Sequence, residues 1–219
     1  MSTGIITRIE RQKKSAHRYN IHIDGSYHLA VHEDVLVKYA LSKGMKIDPD
    51  ELEEVLEAEE RNKVQQAALR YIGYKPRTIR EVERYLDGKG FSSHHRDDVV
   101  REMEQHGYLD DRQFALQWIA ERRGGKGFGK KMLQQELAQK GVSADLVEAA
   151  LEKVGEEEER ELAQQVADKR YHRLRHEPWP KIQRRLGQYL LRRGFPPPTV
   201  YDILRNYQKQ HREEESEWE

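Results

Sequence analysis

Gly124-Gly125-Lys126-Gly127-Phe128-Gly129-Lys130-Lys131 comes nearest to a reactive motif in this sequence. It almost spells G-x-x-x-x-G-K-[ST], the loop whose backbone N–H groups cradle phosphates. The position that must be Ser or Thr to hold magnesium is Lys131. The preceding Phe114 to Arg122 reads as a helix, where the motif needs a strand. No nucleotide site is expected. His172 and His176 are four apart, as are His28 and His32, and the first pair suits one helix face. Zinc needs at least a third protein ligand and none lies at a recognisable spacing, so no metal is expected. Asp97-Asp98 and Asp110-Asp111 resemble paired carboxylates but fall where helix caps and first-turn acids belong. Nothing pairs a nucleophile with a base. These residues point away from an enzyme: no catalytic residue and no cofactor are expected.

What remains is positive charge. Arg122, Arg123, Lys126, Lys130 and Lys131 cluster around the glycines, and lysines among glycines favour close approach to phosphates. From Lys169 to Arg193 there are nine Lys or Arg residues and only Glu177 against them. Lys169, Arg170, Arg173 and Arg175 open that run, and Lys181, Arg184, Arg185 and Arg192 form a stripe on a helix. At about 100° per residue, Ile182, Leu186, Tyr189 and Leu190 fall on a separate face. Apolar side down and cationic side out suits a polyanion or an acidic protein groove. The plain alternative is a solvated helix whose cations pair with Glu156 to Glu159 or with Glu213 to Glu215. Trp118 and Trp179 could serve as stacking platforms, but their apolar neighbours favour packing.

Composition bounds the fold that must carry these clusters. In 219 residues, hydrophobic and charged residues are each 36%, and 39 basic residues balance 39 acidic ones. Mean hydropathy is -1.01. So little apolar material disfavours one large core and favours an elongated array of small units. There is no cysteine, which excludes disulfides and thiolate chemistry. No apolar run is long enough to cross a bilayer, and Met1-Ser2-Thr3-Gly4 lacks the layout of a signal peptide. A cytoplasmic protein without membrane contact is expected.

Residues 5 to 32 alone have strand character. Ile5, Thr7 and Ile9 alternate with polar residues, as do Tyr19, Ile21 and Ile23, and Asp24-Gly25 is a hairpin turn into Tyr27, Leu29 and Val31. Arg11 to Ser15 reads as a solvated basic loop. A short helix over Glu33 to Leu41 stops near Gly44, and Asp48-Pro49 starts another. That helix either continues towards Tyr71 or breaks and restarts near Glu60.

Beyond Arg61 the pattern repeats. Leu86-x-x-Lys89-Gly90-Phe91, Leu137-x-x-Lys140-Gly141-Val142 and Leu190-x-x-Arg193-Gly194-Phe195 place glycine stops 51 and 53 residues apart. At fixed distances past them come Val99, Val100 and Met103, then Ala150, Leu151 and Val154, then Ile203, Leu204 and Tyr207. Each unit reads as three helices. The expected class is mainly α: tandem three-helix repeats with a small β-hairpin-containing leader. The expected divisions are a leader and connecting helix over 1–60, repeats over 61–108, 109–154 and 155–212, and an acidic tail over 213–219. In the central unit Gly107 should end a helix, an Asp at 110 or 111 should cap the next, and Arg122 to Gly129 should form a basic turn.

The chain resembles the RecX family of bacterial recombination regulators. The resemblance rests on Lys75-Pro76-Arg77-Thr78, Glu81-Val82 and Leu86-x-x-Lys89-Gly90-Phe91, and on Gly107-Tyr108-Leu109-Asp110-Asp111 with Phe114-Ala115. Gly129 leading to Leu133, Glu136-Leu137 and Lys140-Gly141-Val142 completes it, over roughly residues 60 to 207. Two departures are the glycine-heavy Gly124 to Gly129 and the long turn from Arg173 to Pro180. The resemblance implies a non-enzymatic modulator of the RecA recombinase that lies in the groove of the RecA–single-stranded DNA filament. There it would inhibit ATP hydrolysis and strand exchange. It also implies weak direct DNA binding without sequence specificity, by a monomer. The thirteen basic residues named above are the expected filament- or DNA-facing set. The alternative is a general nucleic-acid-binding helical repeat protein that does not engage RecA.

Overall fold

The computed structural model describes residues 3–216, with side chains described to residue 213. Four strands precede and interleave with the first helices: β1 (Gly4–Arg11), β2 (Arg18–Ile23), β3 (Ser26–His32), α1 (Glu33–Lys38) and β4 (Lys46–Ile47). They form one antiparallel sheet in the order β3-β2-β1-β4. Asp24 and Gly25 take φ of 49° and 85°, so both turn residues are left-handed, as a tight two-residue hairpin requires. Two details depart from simple alternation. The register of β1 against β2 shifts between Ile6 and Arg8, so Ile6 is fully buried and Ile5 faces outward. A second shift pairs His22 with Tyr27 and turns Tyr27 out of the core. An extra residue in one strand reverses the faces beyond it. β4, two residues long, carries no alternation from which to be read.

The helix that starts at Asp48-Pro49 does not break near Glu60. α2 runs from Pro49 to Tyr74. Asp48 accepts the Glu51 N–H at 2.8 Å and Glu51 answers on the Asp48 N–H at 3.0 Å, a reciprocal cap. The charge-rich stretch stays helical because Glu59 turns inward. It is 2% exposed, accepts the His32 N–H at 2.7 Å and pairs with Arg18 at 2.7 Å. Val55 joins Ile6, Ile21, Val31 and Ile47 in the core of the sheet, so leader and first repeat share one helix.

The remaining helices are α3 (Ile79–Gly88), α4 (Ser93–Gln105), α5 (Asp111–Lys126), α6 (Lys130–Lys140) and α7 (Ala144–Glu152), then α8 (Glu156–Tyr171), α9 (Trp179–Arg192) and α10 (Pro197–Ser216). With the second half of α2 they make three three-helix repeats, and no strand lies between residues 64 and 207. Gly90, Gly141 and Gly194 take φ of 80°, 88° and 88°, and all nine apolar residues expected in register behind them are buried. The α10 helix carries the expected acidic tail on to Ser216. Residues 217–219 of that tail, and Met1-Ser2 at the other terminus, lie outside the described residues.

Contacts divide the chain into two compact units. One comprises residues up to Pro76 with Val82–Tyr108, and the other Arg77–Glu81 with the chain from Leu109 onward. In the second unit the same joint occurs twice. Asp111 accepts the Ile79 N–H at 2.9 Å, while Thr78 Oγ1 donates to the Lys140 carbonyl at 2.7 Å. Likewise Glu159 accepts the Lys130 N–H at 2.8 Å, while the Gly129 N–H donates to the Arg193 carbonyl at 2.8 Å. Each time, an acid from the following repeat caps a second helix, and that helix start rests on a glycine stop. Among the described residues no helix is long and apolar enough to cross a membrane.

Candidate functional site

The Gly124-Gly125-Lys126 segment is helix, not turn. α5 continues to Lys126 and ends at Gly127, with φ of 62°. The Gly127 and Phe128 N–H groups return to the Arg123 and Arg122 carbonyls at 3.1 and 3.4 Å. This corrects the expected basic turn: the helical ladder takes up the Gly124 and Gly125 backbone, leaving no nest of N–H groups for a phosphate. The start of α6 is equally engaged, because Gly129, Lys130 and Lys131 N–H groups go to Arg193, Glu159 and Gly194. Any anion held here must be held by side chains.

Side chains are well placed for that. Between the second and third repeats lies a cavity of about 540 Å³. The end of α5 contributes Arg123 and Lys126, α8 contributes Lys169, and Arg193 closes the far side. Phe128 and Tyr189 supply aromatic walls, and among the described residues no carboxylate lines the space. Gly124 and Gly125 leave their part of the rim bare, with open space where a Cβ would stand. Arg123 is already answered: it pairs with Glu159 and donates to the Glu158 carbonyl at 3.1 Å. Arg193 lies over the Phe128 and Tyr189 rings at 5.7 and 4.9 Å, and Lys126 lies 5.5 Å from Phe128. Among the described residues Lys126, Lys169 and Arg193 have no ion-pair partner within 4.0 Å. The result is a concave surface with net positive charge and flat apolar walls, suited to phosphate groups joined to planar rings.

The other expected site residues divide. Arg122 lies 3.9 Å over the Trp118 ring and bonds Glu136 at 3.0 Å, so it braces the second repeat. Arg170 lies 5.3 Å over Tyr189. Lys130 and Lys131 begin α6 outside the cavity lining. Arg173 and Arg175 are exposed in the α8–α9 connection, where Arg175 bonds His176 at 3.2 Å. On α9 the apolar face is as expected, with Ile182, Leu186 and Leu190 fully buried. Lys181 and Arg185, however, clamp Glu177 at 2.8 and 2.6 Å, not Glu156 to Glu159. The hydrogen bond from Lys181, with Arg185 beside it, holds the Glu177 carboxyl below the ordinary range. Arg184 and Arg192 are exposed and, among the described residues, carry no such pair. Trp118 packs on the second core and Trp179 on the third. Among the described residues no group of three His, Asp or Glu is placed to hold a metal. Arg193 was not in the expected set, although the cation before each glycine stop marks its position.

Comparison with known proteins finds family models that match along the chain. The model of the regulatory protein RecX N-terminal domain matches residues 4–48, and those of the first, second and third RecX three-helix domains match 66–103, 110–151 and 156–204. A regulatory protein RecX of Halalkalibacterium halodurans is 34% identical over 99% of this chain and 82% of its own. The chain belongs to the RecX family. The RecX of Geobacillus sp. (strain WCH70) is 31% identical over 99% of this chain and 80% of its own. A crystal structure of regulatory protein RecX superposes with a TM-score of 0.76 at 27% identity, covering 93% of this chain and 99% of the other. RecX from Lactobacillus salivarius shares the fold at a TM-score of 0.63 and 23% identity, over 68% of this chain and 97% of its own.

Proposed function

We propose that this chain is a non-enzymatic modulator of the RecA recombinase. In this reading it lies in the groove of the RecA–single-stranded DNA filament and suppresses ATP hydrolysis and strand exchange. Membership of the RecX regulatory family over nearly the whole chain carries the reading. The cavity between the second and third repeats supports it, because a filament on DNA presents phosphates to a cationic intruder. Lys126, Lys169 and Arg193 are the residues assigned to that contact, with Arg184 and Arg192 on the exposed side of α9. The mechanism is steric and electrostatic: helices seated across successive subunits oppose the rearrangement that accompanies turnover. Direct, weak, sequence-independent binding to DNA follows from the same cations. The protein acts as a monomer in the cytoplasm in this reading.

The test is a titration of this protein into RecA, ATP and single-stranded DNA. The ATPase rate should fall at substoichiometric amounts. Unchanged ATPase and strand exchange up to equimolar protein would reject the reading. If bare DNA were still bound, a nucleic-acid-binding repeat protein without RecA engagement would take its place.

A further inference from the structure

The three repeats share a register that assigns a second, chemically different face to the first of them. Ala68, Ala115 and Ala163 occupy one position, each fully buried. Three, six and seven residues beyond it stand Val166, Lys169 and Arg170 in the third repeat. Five residues and one residue before the glycine stop stand Tyr189 and Arg193. Four of these five line the basic cavity, and Arg170 lies over Tyr189. The cavity is thus built on a face that every repeat possesses.

In the second repeat the face is closed on itself. Arg122 and Lys140 cover the Trp118 ring at 3.9 and 4.4 Å, and Glu136 accepts from both Trp118 Nε1 and Arg122 Nε. In the first repeat the same five positions are Tyr71, Tyr74, Lys75, Tyr85 and Lys89. Tyr71 and Tyr85 stack with centroids 4.0 Å apart and planes 3° from parallel. Lys89 stands 5.5 Å over Tyr85, and Lys75 is exposed. Tyr74, one helical turn beyond Tyr71, is 84% exposed, more than any other large hydrophobic side chain among the described residues. Asp87, two residues before Lys89, pairs with Arg96.

We infer that this face of the first repeat is a base-stacking site for single-stranded nucleic acid, with Tyr74 as the exposed ring and Lys75 and Lys89 as phosphate contacts. Tyr71 and Tyr85 spend their facing surfaces on each other, so the exposed Tyr74 ring is the one that offers a base a flat face, and flanking ammonium groups match the charge between successive bases. An apolar peptide would use the rings but would leave both cations unanswered, so charge complementarity favours the strand. The inference rests on the strand-binding part of the proposed function and not on RecA.

The experiment uses the full chain without RecA. Its probes are a fluorescein-labelled oligothymidylate and an abasic oligomer of equal length and charge, followed by anisotropy. Wild type should bind the base-bearing strand more tightly than the abasic one. Tyr74→Ala should weaken oligothymidylate binding at least about five-fold, leave the abasic strand unchanged, and be rescued by Tyr74→Phe. Equal affinity of wild type for both probes would overturn the inference. So would a Tyr74→Ala variant that binds both as wild type does or loses both alike, or a protein that binds neither. RecA ATPase inhibition retained in Tyr74→Ala, with either oligomer result, is read separately, so the two readings fail independently.

Discussion

Glu159 and Lys130 belong to different repeats, yet Glu159 Oε1 accepts the backbone N–H of Lys130 at 2.8 Å. The other carboxylate oxygen takes Arg123. One side chain, 4% exposed, therefore caps a helix start in the second repeat and neutralises a cation at the rim of the basic cavity. Removing it orphans a charge and a donor together. Glu159→Ala should destabilise the protein by about 3 kcal/mol, whereas Glu159→Gln, which still accepts from Lys130, should cost less. Denaturant unfolding monitored by circular dichroism measures both, and equal stability of Glu159→Ala and wild type would deny the joint its role.

The glycine stops should differ in sensitivity although their φ angles agree. A Cβ on Gly90 meets open space, so Gly90→Ala should cost about 1–2 kcal/mol for left-handed backbone alone. A Cβ on Gly194 runs into the backbone of Met132, at the start of α6. Gly194→Ala should therefore cost distinctly more and loosen the third repeat from the second. Thermal melts of the two variants make the comparison.

Cations that line the cavity should separate from those that brace the fold. Lys126→Gln with Lys169→Gln should leave stability within about 0.5 kcal/mol per substitution. The same pair should reduce the slope of log affinity against log salt for single-stranded DNA by about 0.7 per lost contact. Arg122→Gln should do the reverse, lowering the melting temperature through Trp118 and Glu136 while the salt slope stays unchanged.

Glu81 gives the second unit a dependence on acid. Partial burial raises its pKa, but the hydrogen bond from Lys140 and the Thr78 N–H outweigh this and leave it lowered. A carboxyl with a lowered folded pKa contributes stability that is fully present above its unfolded value. That stability is lost as pH falls through the folded one. The stability difference between wild type and Glu81→Gln should be constant at neutral pH and shrink as pH falls below about 4.3. Unfolding curves across that window decide it; a difference that grows in acid contradicts the Lys140 pairing.

What the sequence made legible was local or periodic. Leucine, cation and glycine recur at fixed spacing because each repeat ends its second helix in the same left-handed residue, and the nine apolar positions behind the stops follow from helical period. What it hid was decided by partners distant along the chain. Ile5 and Tyr27 face outward because of register shifts between strands, which no single strand's alternation records. Glu59 is buried because Arg18 and a backbone N–H meet it from the sheet. The glycines at 124 and 125 carry helix because the turn that ends α5 forms two residues later. The cation clusters were visible, but which members are committed to Glu136, Glu159 and Glu177 was not. That sorting decides which positive charges are left for a ligand.

The unbroken α2 helix has a mechanical consequence. At about 1.5 Å per residue, its 26 residues make a rod of roughly 39 Å. Val55 and Glu59 anchor one half to the sheet, while Ala67 and Ala68 sit in the first repeat on the other. A tilt imposed on the sheet is therefore delivered to the first repeat as leverage, with no joint between them to absorb it. Severing the chain near residue 61 would leave a frayed splint, stripped of the Asp48–Glu51 cap that starts it.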